Sequence, residues 1–182
     1  MRPYIRSSIV VIIAAAFAAI LACASTFPIH AETVELSDEQ RAYIKSECSQ
    51  IKGSLSQLHA TDALLRVNRG QVYESISTNL MKPFNARVSG AGLDGKAMVT
   101  HVDQYQTALQ AFRADYISYE KKIAETLRVD CTDQPDVFYQ HILEARELRS
   151  TVHDDVTSLH QIMQDYGTAV DDFLVNYKRI SE

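Results

Sequence analysis

Histidine and cysteine are the residue types most able to do chemistry in this chain, which contains six histidines and three cysteines. Neither a His-x-x-x-His pair nor a Glu-x-x-His motif occurs, so the helical spacings that gather metal ligands are missing from the sequence. His153, Asp154 and Asp155 are consecutive, but no activated serine or cysteine accompanies them. Gly90 and Gly92 follow no predicted strand, which argues against a phosphate-binding loop. We therefore predict no catalytic residue, metal site, cofactor or enzymatic activity.

Cys48 and Cys131 form an even pair once Cys23 is set aside with the N-terminal segment. Such pairs commonly form disulfides in proteins that enter an oxidising compartment. If the chain folds back about Ala91 as helices, Cys131 falls opposite about residue 51, one helical turn from Cys48. We predict a Cys48–Cys131 disulfide. The alternative is two free thiols, with Cys48 as a small core residue.

The first 31 residues have the composition of an export signal. Two arginines precede an uncharged, largely apolar stretch over residues 7–24, and Ala31 is a small residue suited to signal-peptidase cleavage. We predict export with cleavage near Ala31. The alternatives are cleavage at the Ala-Cys-Ala triplet centred on Cys23, acylation of Cys23 as a lipoprotein, or an uncleaved anchor, since about 18 apolar residues are at the lower limit for spanning a bilayer.

Residues 32–182 are predicted to form one domain, of a size that can bury a core. The whole chain has a formal net charge of -5, and removing residues 1–31, with two arginines and no acidic residue, changes it to -7. A chain this acidic, without a basic cluster in its sequence, is not expected to bind nucleic acid or an anionic membrane surface. Membrane contact is expected only through the N-terminal segment, if that segment is uncleaved or lipidated at Cys23.

Apolar residues recur at alternating three- and four-residue steps along three segments, which is the period of a supercoiled helical seam. The seam of the first segment contains Ile44, Cys48, Ile51, Leu55, Leu58, Asp62, Leu65, Arg69, Val72, Ile76 and Leu80. That of the second contains Met98, Val102, Tyr105, Leu109, Phe112, Tyr116, Tyr119, Ile123 and Leu127. That of the third contains Phe138, Ile142, Ala145, Arg149, Val152, Val156, Leu159, Met163, Tyr166, Val170, Phe173, Tyr177 and Ile180. We predict an all-α fold, an elongated, coiled-coil-like, antiparallel three-helix bundle with helices over about 37–88, 94–129 and 134–180.

Residues typical of helix ends support these boundaries. Ser37, with a glutamine three residues on, predicts a capping box. Asp94 is a candidate cap for the second helix, and Pro135 suits the first turn of the third. Pro83 is the discordant residue, and we expect it to kink the first helix or end its regular part near position 81.

Three polar residues interrupt the seams. Asp62 and Arg69 occupy inward positions of the first helix, and Arg149 occupies one of the third. Matching levels along the bundle places Asp62 near Arg149, and Arg69 near Asp154 or Asp155. These side chains either reach past the edge of the core to solvent or form a paired polar layer that sets the helix register.

Two sequence blocks carry a resemblance. The first is Asp62-x3-Arg66-x-Asn68-x-Gly70-x2-Tyr73-Glu74-x-Ile76-x3-Leu80-Met81-x-Pro83-x-Asn85-x-Arg87. The second is Cys131-x3-Pro135-x2-Phe138-Tyr139 followed by Ala145-Arg146. Both resemble blocks in a family of exported or membrane-tethered helical proteins of small-genome candidate-phylum bacteria. The resemblance implies an envelope or secreted helical module with the cysteine pair as a family feature, and it carries no activity with it.

The predicted function is an exported structural or protein-interaction module of the cell envelope. Its partner would be an envelope or surface protein that docks along the helices. The alternative is an envelope binding module with a small polar ligand site between helices, around Asn68, Arg69, Tyr73, Asn85 and Arg87. A surface without a pocket favours the first function, and convergent polar groups in a cavity favour the second.

Overall fold

The computed structural model of the chain describes residues 35–181. Its helices are α1 (Asp38–Ser46), α2 (Cys48–Ser75), α3 (Lys82–Gly90), α4 (Lys96–Arg128) and α5 (Pro135–Ser181), and a π-helical segment (Ile76–Met81) joins α2 to α3. No strand occurs between residues 35 and 181, so the predicted all-α class is confirmed for this part of the chain. The count of three helices is not confirmed, because the first predicted helix is divided into α1, α2, the π-helical segment and α3. The export signal, with its cleavage and lipidation sites, lies outside the described residues.

Helix α1 begins at the predicted capping box. Ser37 Oγ accepts a hydrogen bond from the Gln40 N–H at 3.2 Å, and Gln40 Oε1 accepts one from the Ser37 N–H at 2.8 Å. The helix ends at Ser46, and Glu47 leaves helical geometry with a ψ of 9°. Because α2 starts at Cys48, the interruption is one residue wide.

The π-helical segment lies immediately before the helix that contains Pro83. A proline inside a helix has no N–H to donate, and its ring crowds the carbonyl four residues earlier. A π-helical turn, which is widened by its i→i+5 hydrogen bonds, relieves that conflict. Regular α-helix ends at Ser75 and resumes at Lys82, so the irregular part expected near position 81 covers residues 76–81. The wider turn also keeps residues four positions apart on one side, and Tyr73, Ser77, Met81 and Asn85 are all buried.

The predicted seam of α4 forms the centre of the core. From Met98 to Ile123, each of its predicted positions is at most 5% exposed. The predicted seam of the first segment is wrong at four positions, because Leu58, Leu65, Val72 and Leu80 are 36%, 51%, 53% and 63% exposed. A straight α-helix repeats every 3.6 residues, so a seam drawn with a period of 3.5 drifts by about 20° per heptad. By Leu65 and Val72 this drift has turned the seam out of the core.

Helices α4 and α5 pack closely, whereas the residues of α2 stand farther from α5. Within the described part of the chain, no Cα atom of α2 comes within 8 Å of one in α5. Side chains bridge the gap instead: Asp62 meets Arg149, and the Tyr73 hydroxyl lies 3.1 Å from His160 Nε2. Both pairs are 87 positions apart, so α2 runs parallel to α5.

The predicted disulfide is present. Cys48 and Cys131 are bonded, with Cα atoms 5.6 Å apart. Cys48 begins α2, and Cys131 lies in the turn before α5. The bridge is packed with the buried side chains of Leu36, Ile44 and Phe138. It therefore ties the first helical segments to the beginning of α5.

The turn between α3 and α4 depends on glycine at two positions. Gly92 has a φ of 69°, in the left-handed region that favours glycine. Gly95 occupies the N-cap position of α4, and Asp94 Oδ1 accepts a hydrogen bond from the Lys96 N–H at 3.1 Å. Asp94, the predicted N-cap, thus accepts a hydrogen bond from the first turn of α4 although it lies one residue before the N-cap position.

Candidate ligand site: a basic groove between α2, α4 and α5

A groove with a volume of about 600 Å³ runs between α2, α4 and α5. Its charged lining residues, which define what we term the basic groove, are Asp62, Arg66, Arg69, Arg146 and Arg149. Four arginines and one aspartate give this lining three net positive charges, in a chain whose formal net charge is -5. The groove has the size of many small-molecule sites, which occupy about 300–1,000 Å³.

The floor of the basic groove is apolar and aromatic. It is formed by Tyr73, Phe112, Tyr116, Val152 and Val156. Tyrosine and phenylalanine on α4 belong to its buried seam, so they project toward α2 from a closely packed helix. The groove exists because α2 stands off from α5, and the long side chains between them leave a cleft.

Asp62 closes one part of the groove with a hydrogen-bonded network. Its Oδ2 accepts hydrogen bonds from Tyr119 Oη at 2.8 Å and from Arg149 Nε at 2.9 Å. Burial disfavours the ionised carboxylate, but the bonds from Arg149 and Tyr119 outweigh it, so the pKa of Asp62 lies below its ordinary value. Burial and the bond to Asp62 raise the pKa of Tyr119. The pair predicted between Asp62 and Arg149 is therefore formed.

Tyr116 has a different environment from Tyr119, one helical turn away. Its side chain is 3% exposed, and its hydroxyl has no hydrogen-bond partner among residues 35–181. The Arg66 guanidinium lies over the Tyr116 ring, with Cζ 4.8 Å from the ring centroid. Burial and the charge of Glu120 raise the pKa of Tyr116, so its hydroxyl is a donor at neutral pH. Glu120 itself lies 4.0 Å from His59 Nε2.

Three arginines of the basic groove have no acidic partner. Across the described residues, Arg66, Arg69 and Arg146 form no ion pair, whereas Arg149 is paired with Asp62. Sequence reasoning missed this concentration of charge, because the arginines come from helices about 80 positions apart in the chain. The only signal in the sequence was the i, i+3 spacing of Arg66 and Arg69 and of Arg146 and Arg149, which places each pair on one helical face.

The five residues predicted to form a ligand site do not come together. Arg69 and Tyr73 line the basic groove, whereas Asn68 and Arg87 are exposed elsewhere on their helices. Asn85 is buried, and its Oδ1 accepts a hydrogen bond from Tyr166 at 2.9 Å. The first three of these residues belong to α2 and the last two to α3, and the π-helical segment separates them. The prediction is therefore corrected to a site that contains only Arg69 and Tyr73 of that set.

The other predicted ion pair is not formed. Arg69 is exposed and has no ion-pair partner within residues 35–181. Asp155 lies beside Asp115 of α4, and burial together with that carboxyl group raises the pKa of Asp155 to about 6. The proposed polar layer thus consists of Asp62 and Arg149, joined by Tyr119.

No group of three or more histidine, cysteine, aspartate or glutamate side chains suited to a metal ion occurs within residues 35–181. None of the helices described is both long enough and apolar enough to traverse a bilayer.

Comparisons with known proteins identify no relative of this chain. No family model matches the chain, and neither a curated protein nor a solved structure matches it at a significant level. The basic groove and its chemistry are consequently the features from which a function can be inferred.

Proposed function

We propose that the protein is a non-catalytic binding module that holds a small anionic molecule in the basic groove. The observation that carries this proposal is the gathering of four arginines over an aromatic floor in an acidic protein. Three of these guanidinium groups have no acidic partner among the described side chains, and planar guanidinium groups bind carboxylates and phosphates well. This favours the ligand-binding alternative over a surface that acts only by docking.

The charge distribution of the protein supports selective binding of an anion in the basic groove. An acidic exterior repels anions, so a binding site for one needs a local excess of positive charge. The basic groove provides that excess, and its low-dielectric aromatic floor strengthens the attraction at short range.

Ligand-observed NMR on the full chain tests the proposal. Benzoate and phosphate should show binding, and benzylammonium, which matches benzoate in size but not in charge, should not. The double variant Arg69→Ala/Arg146→Ala should weaken benzoate binding by about tenfold or more, since each hydrogen bond to a charged group contributes roughly 1.5–3 kcal/mol.

Arg87→Ala is the matched control, because Arg87 is exposed and lies outside the groove. It removes the same charge as Arg69→Ala and should leave benzoate binding unchanged. Equal binding of benzoate and benzylammonium, or equal losses in the control and the double variant, would refute the proposal.

A second candidate function is protein interaction along α2, with an envelope or surface protein as partner. Its support is a group of exposed apolar side chains on this helix: Leu64 is 68% exposed and Val67 is 52% exposed. Photo-crosslinking from position 68, which is exposed one helical turn from Leu64, should capture a defined protein in whole cells, and the capture should be lost in Leu64→Ser/Val67→Ser. Capture that persists in this variant would count against the interaction.

We further propose that the protein is exported and that residues 35–181 work as an elongated antiparallel three-helix bundle. The disulfide suits an oxidising compartment. Helices α1 to α3 would form one arm, with α4 and α5 as the others. Mass spectrometry of the N-terminus in the exported fraction should find cleavage near Ala31. A chain that begins at Met1 and stays with cytoplasmic markers would contradict export.

A further inference from the structure

The environment of Asp62 shows how this part of the protein holds a carboxylate. Tyr119 Oη and Arg149 Nε both donate to Asp62 Oδ2, at 2.8 Å and 2.9 Å. A second guanidinium nitrogen, Arg149 Nη2, lies 3.3 Å from Asp62 Oδ1. A tyrosine hydroxyl from α4 and an arginine therefore share one carboxylate, which is a strong, charge-assisted arrangement.

Tyr116 and Arg66 are a second tyrosine–arginine pair one helical turn away, in which the guanidinium lies over the ring and no carboxylate is shared. Tyr116 precedes Tyr119 by three residues on α4, and Arg66 follows Asp62 by four residues on α2. Neither has a carboxylate partner among the described residues. Buried hydroxyl groups nearly always have a hydrogen-bond partner. Tyr116 is 3% exposed, so its hydroxyl is expected to donate to an acceptor that a ligand would supply.

The groove beside Tyr116 suits the apolar body of a ligand. Phe112, Val152 and Val156 line it, and all three are buried or half-buried. Arg69 and Arg146 lie in the same lining. A ligand with one anionic group and an apolar body can bind the arginines and also cover the apolar floor, whereas a small inorganic anion would leave that floor uncovered.

We propose that the ligand of the basic groove is an aliphatic or aromatic monocarboxylate, bound with its carboxylate at Tyr116 Oη and Arg66 and its body on Phe112, Val152 and Val156. This inference rests on the proposed function, since it specifies the anion that the groove takes. Asp62 is the internal example of the same recognition, held by Tyr119 and Arg149.

Isothermal titration calorimetry of the full chain with octanoate, acetate and octanamide tests the inference. Octanoate should bind at least one hundredfold more tightly than acetate, because each buried CH₂ group contributes about 0.8 kcal/mol. It should also bind at least tenfold more tightly than octanamide, which has the same body without the charge.

Tyr116→Phe tests the position of the carboxylate. The ring and its packing remain, and the hydroxyl removed has no partner to lose within residues 35–181, so the variant should fold. Octanoate affinity should fall about tenfold, and octanamide affinity should fall less, because the hydroxyl bonds more strongly to a charged acceptor than to a neutral one. Tyr43→Phe is the control, because Tyr43 is 64% exposed and lies outside the groove.

The possible failures are distinguishable. If Arg69→Ala/Arg146→Ala abolishes octanoate binding but Tyr116→Phe leaves it unchanged, the monocarboxylate site is wrong and the anion-binding function stands. Equal affinity for octanoate and acetate would likewise contradict the monocarboxylate site and leave the anion-binding function standing. If none of the anions binds, both proposals are wrong.

Discussion

Tyr119 and Tyr116, one turn apart on α4, differ in whether the hydroxyl has a hydrogen-bond partner. The Tyr119 hydroxyl bonds to Asp62, so Tyr119→Phe should lower the free energy of unfolding by about 1.5–3 kcal/mol. The Tyr116 hydroxyl has no partner among residues 35–181, so Tyr116→Phe should leave stability unchanged or raise it. Urea denaturation of the two variants measures the difference. Equal destabilisation would contradict the assignment.

Arg149 and Arg69 differ in the same way. Arg149 is paired with Asp62, whereas Arg69 is exposed and unpaired within the described residues. Arg149→Ala should destabilise the protein by about 1–3 kcal/mol, because a partly buried carboxylate loses its partner. Arg69→Ala should change stability by less than about 0.5 kcal/mol. Thermal unfolding of the two variants measures these changes in stability. A larger loss of stability for Arg69→Ala than for Arg149→Ala would support the buried ion pair of Arg69 that the sequence predicted.

Asp155 makes stability depend on pH. Burial and the neighbouring Asp115 raise its folded-state pKa to about 6, above its ordinary value of 3.8, so the folded protein binds the proton more tightly. The stability that this tighter proton binding gives the folded protein is thus fully present below about pH 3.8 and is lost as pH rises to about 6. Asp155→Asn should raise stability at pH 7 by about 1 kcal/mol, with allowance for solvent screening, and change little at pH 3.5.

Chemical denaturation at the two pH values measures this effect. Asp171→Asn is the matched control, because Asp171 is exposed on the same helix and lies away from Asp115. The same gain in both variants would mean that net charge, rather than the Asp115–Asp155 contact, is responsible.

At the scale of elements, the turn that brings α3 against α4 depends on a close approach at Gly95. A Cβ atom there would lie 2.9 Å from Val88 Cγ1 and 3.2 Å from Met98 Cε. Both neighbours are buried, so Gly95→Ala should destabilise the protein by about 1–3 kcal/mol. Gly53, inside α2, has no atom within 4 Å of its added Cβ, and Gly53→Ala should stabilise by about 0.5–1 kcal/mol.

Differential scanning calorimetry of the two variants compares the sites directly. Opposite shifts in melting temperature are expected. Shifts of the same sign would mean that the α3–α4 turn adapts without cost, and that Val88 does not restrict it.

The π-helical segment is the element that most changes the site. Ser77 and Met81 within it are buried, as is Tyr73 near the end of α2. Tyr105 Oη donates to the Tyr73 carbonyl at 3.0 Å, and Tyr166 Oη lies 3.3 Å from the Met81 carbonyl. These bonds from α4 and α5 place the side of α2 that faces the basic groove.

For the whole described unit, the disulfide is the strongest single constraint. It joins residues 83 positions apart, and in the chain-entropy model a loop of this length stabilises by about 4–5 kcal/mol. Cys48→Ser/Cys131→Ser should therefore lower the melting temperature substantially, and dithiothreitol should do the same to the natural protein. The variant itself should be insensitive to dithiothreitol. A reductant effect of equal size on the variant would assign the loss to something other than this bond.

Much of the fold could be predicted from local patterns in the sequence. The buried seam of α4, the capping box at Ser37, the interruption before Pro83 and the start of α5 at Pro135 each depend on residues within a few turns of one another. Periodicity and capping act over such distances, so the sequence carries them directly. The disulfide followed from helix rise and direction, which extend the same local rules along whole segments.

The basic groove was decided by tertiary structure alone. Its arginines come in two pairs, on α2 and α5, and their meeting depends on the distance between these helices and on which faces point inward. Along α2 the 3.6-residue repeat of the helix departs from the predicted 3.5-residue seam, and a small rotation per turn accumulates over many residues. The sequence by itself determined where helices form and which cysteines pair. Which charges share a site depended on helix spacing and rotation, and no local pattern specifies those.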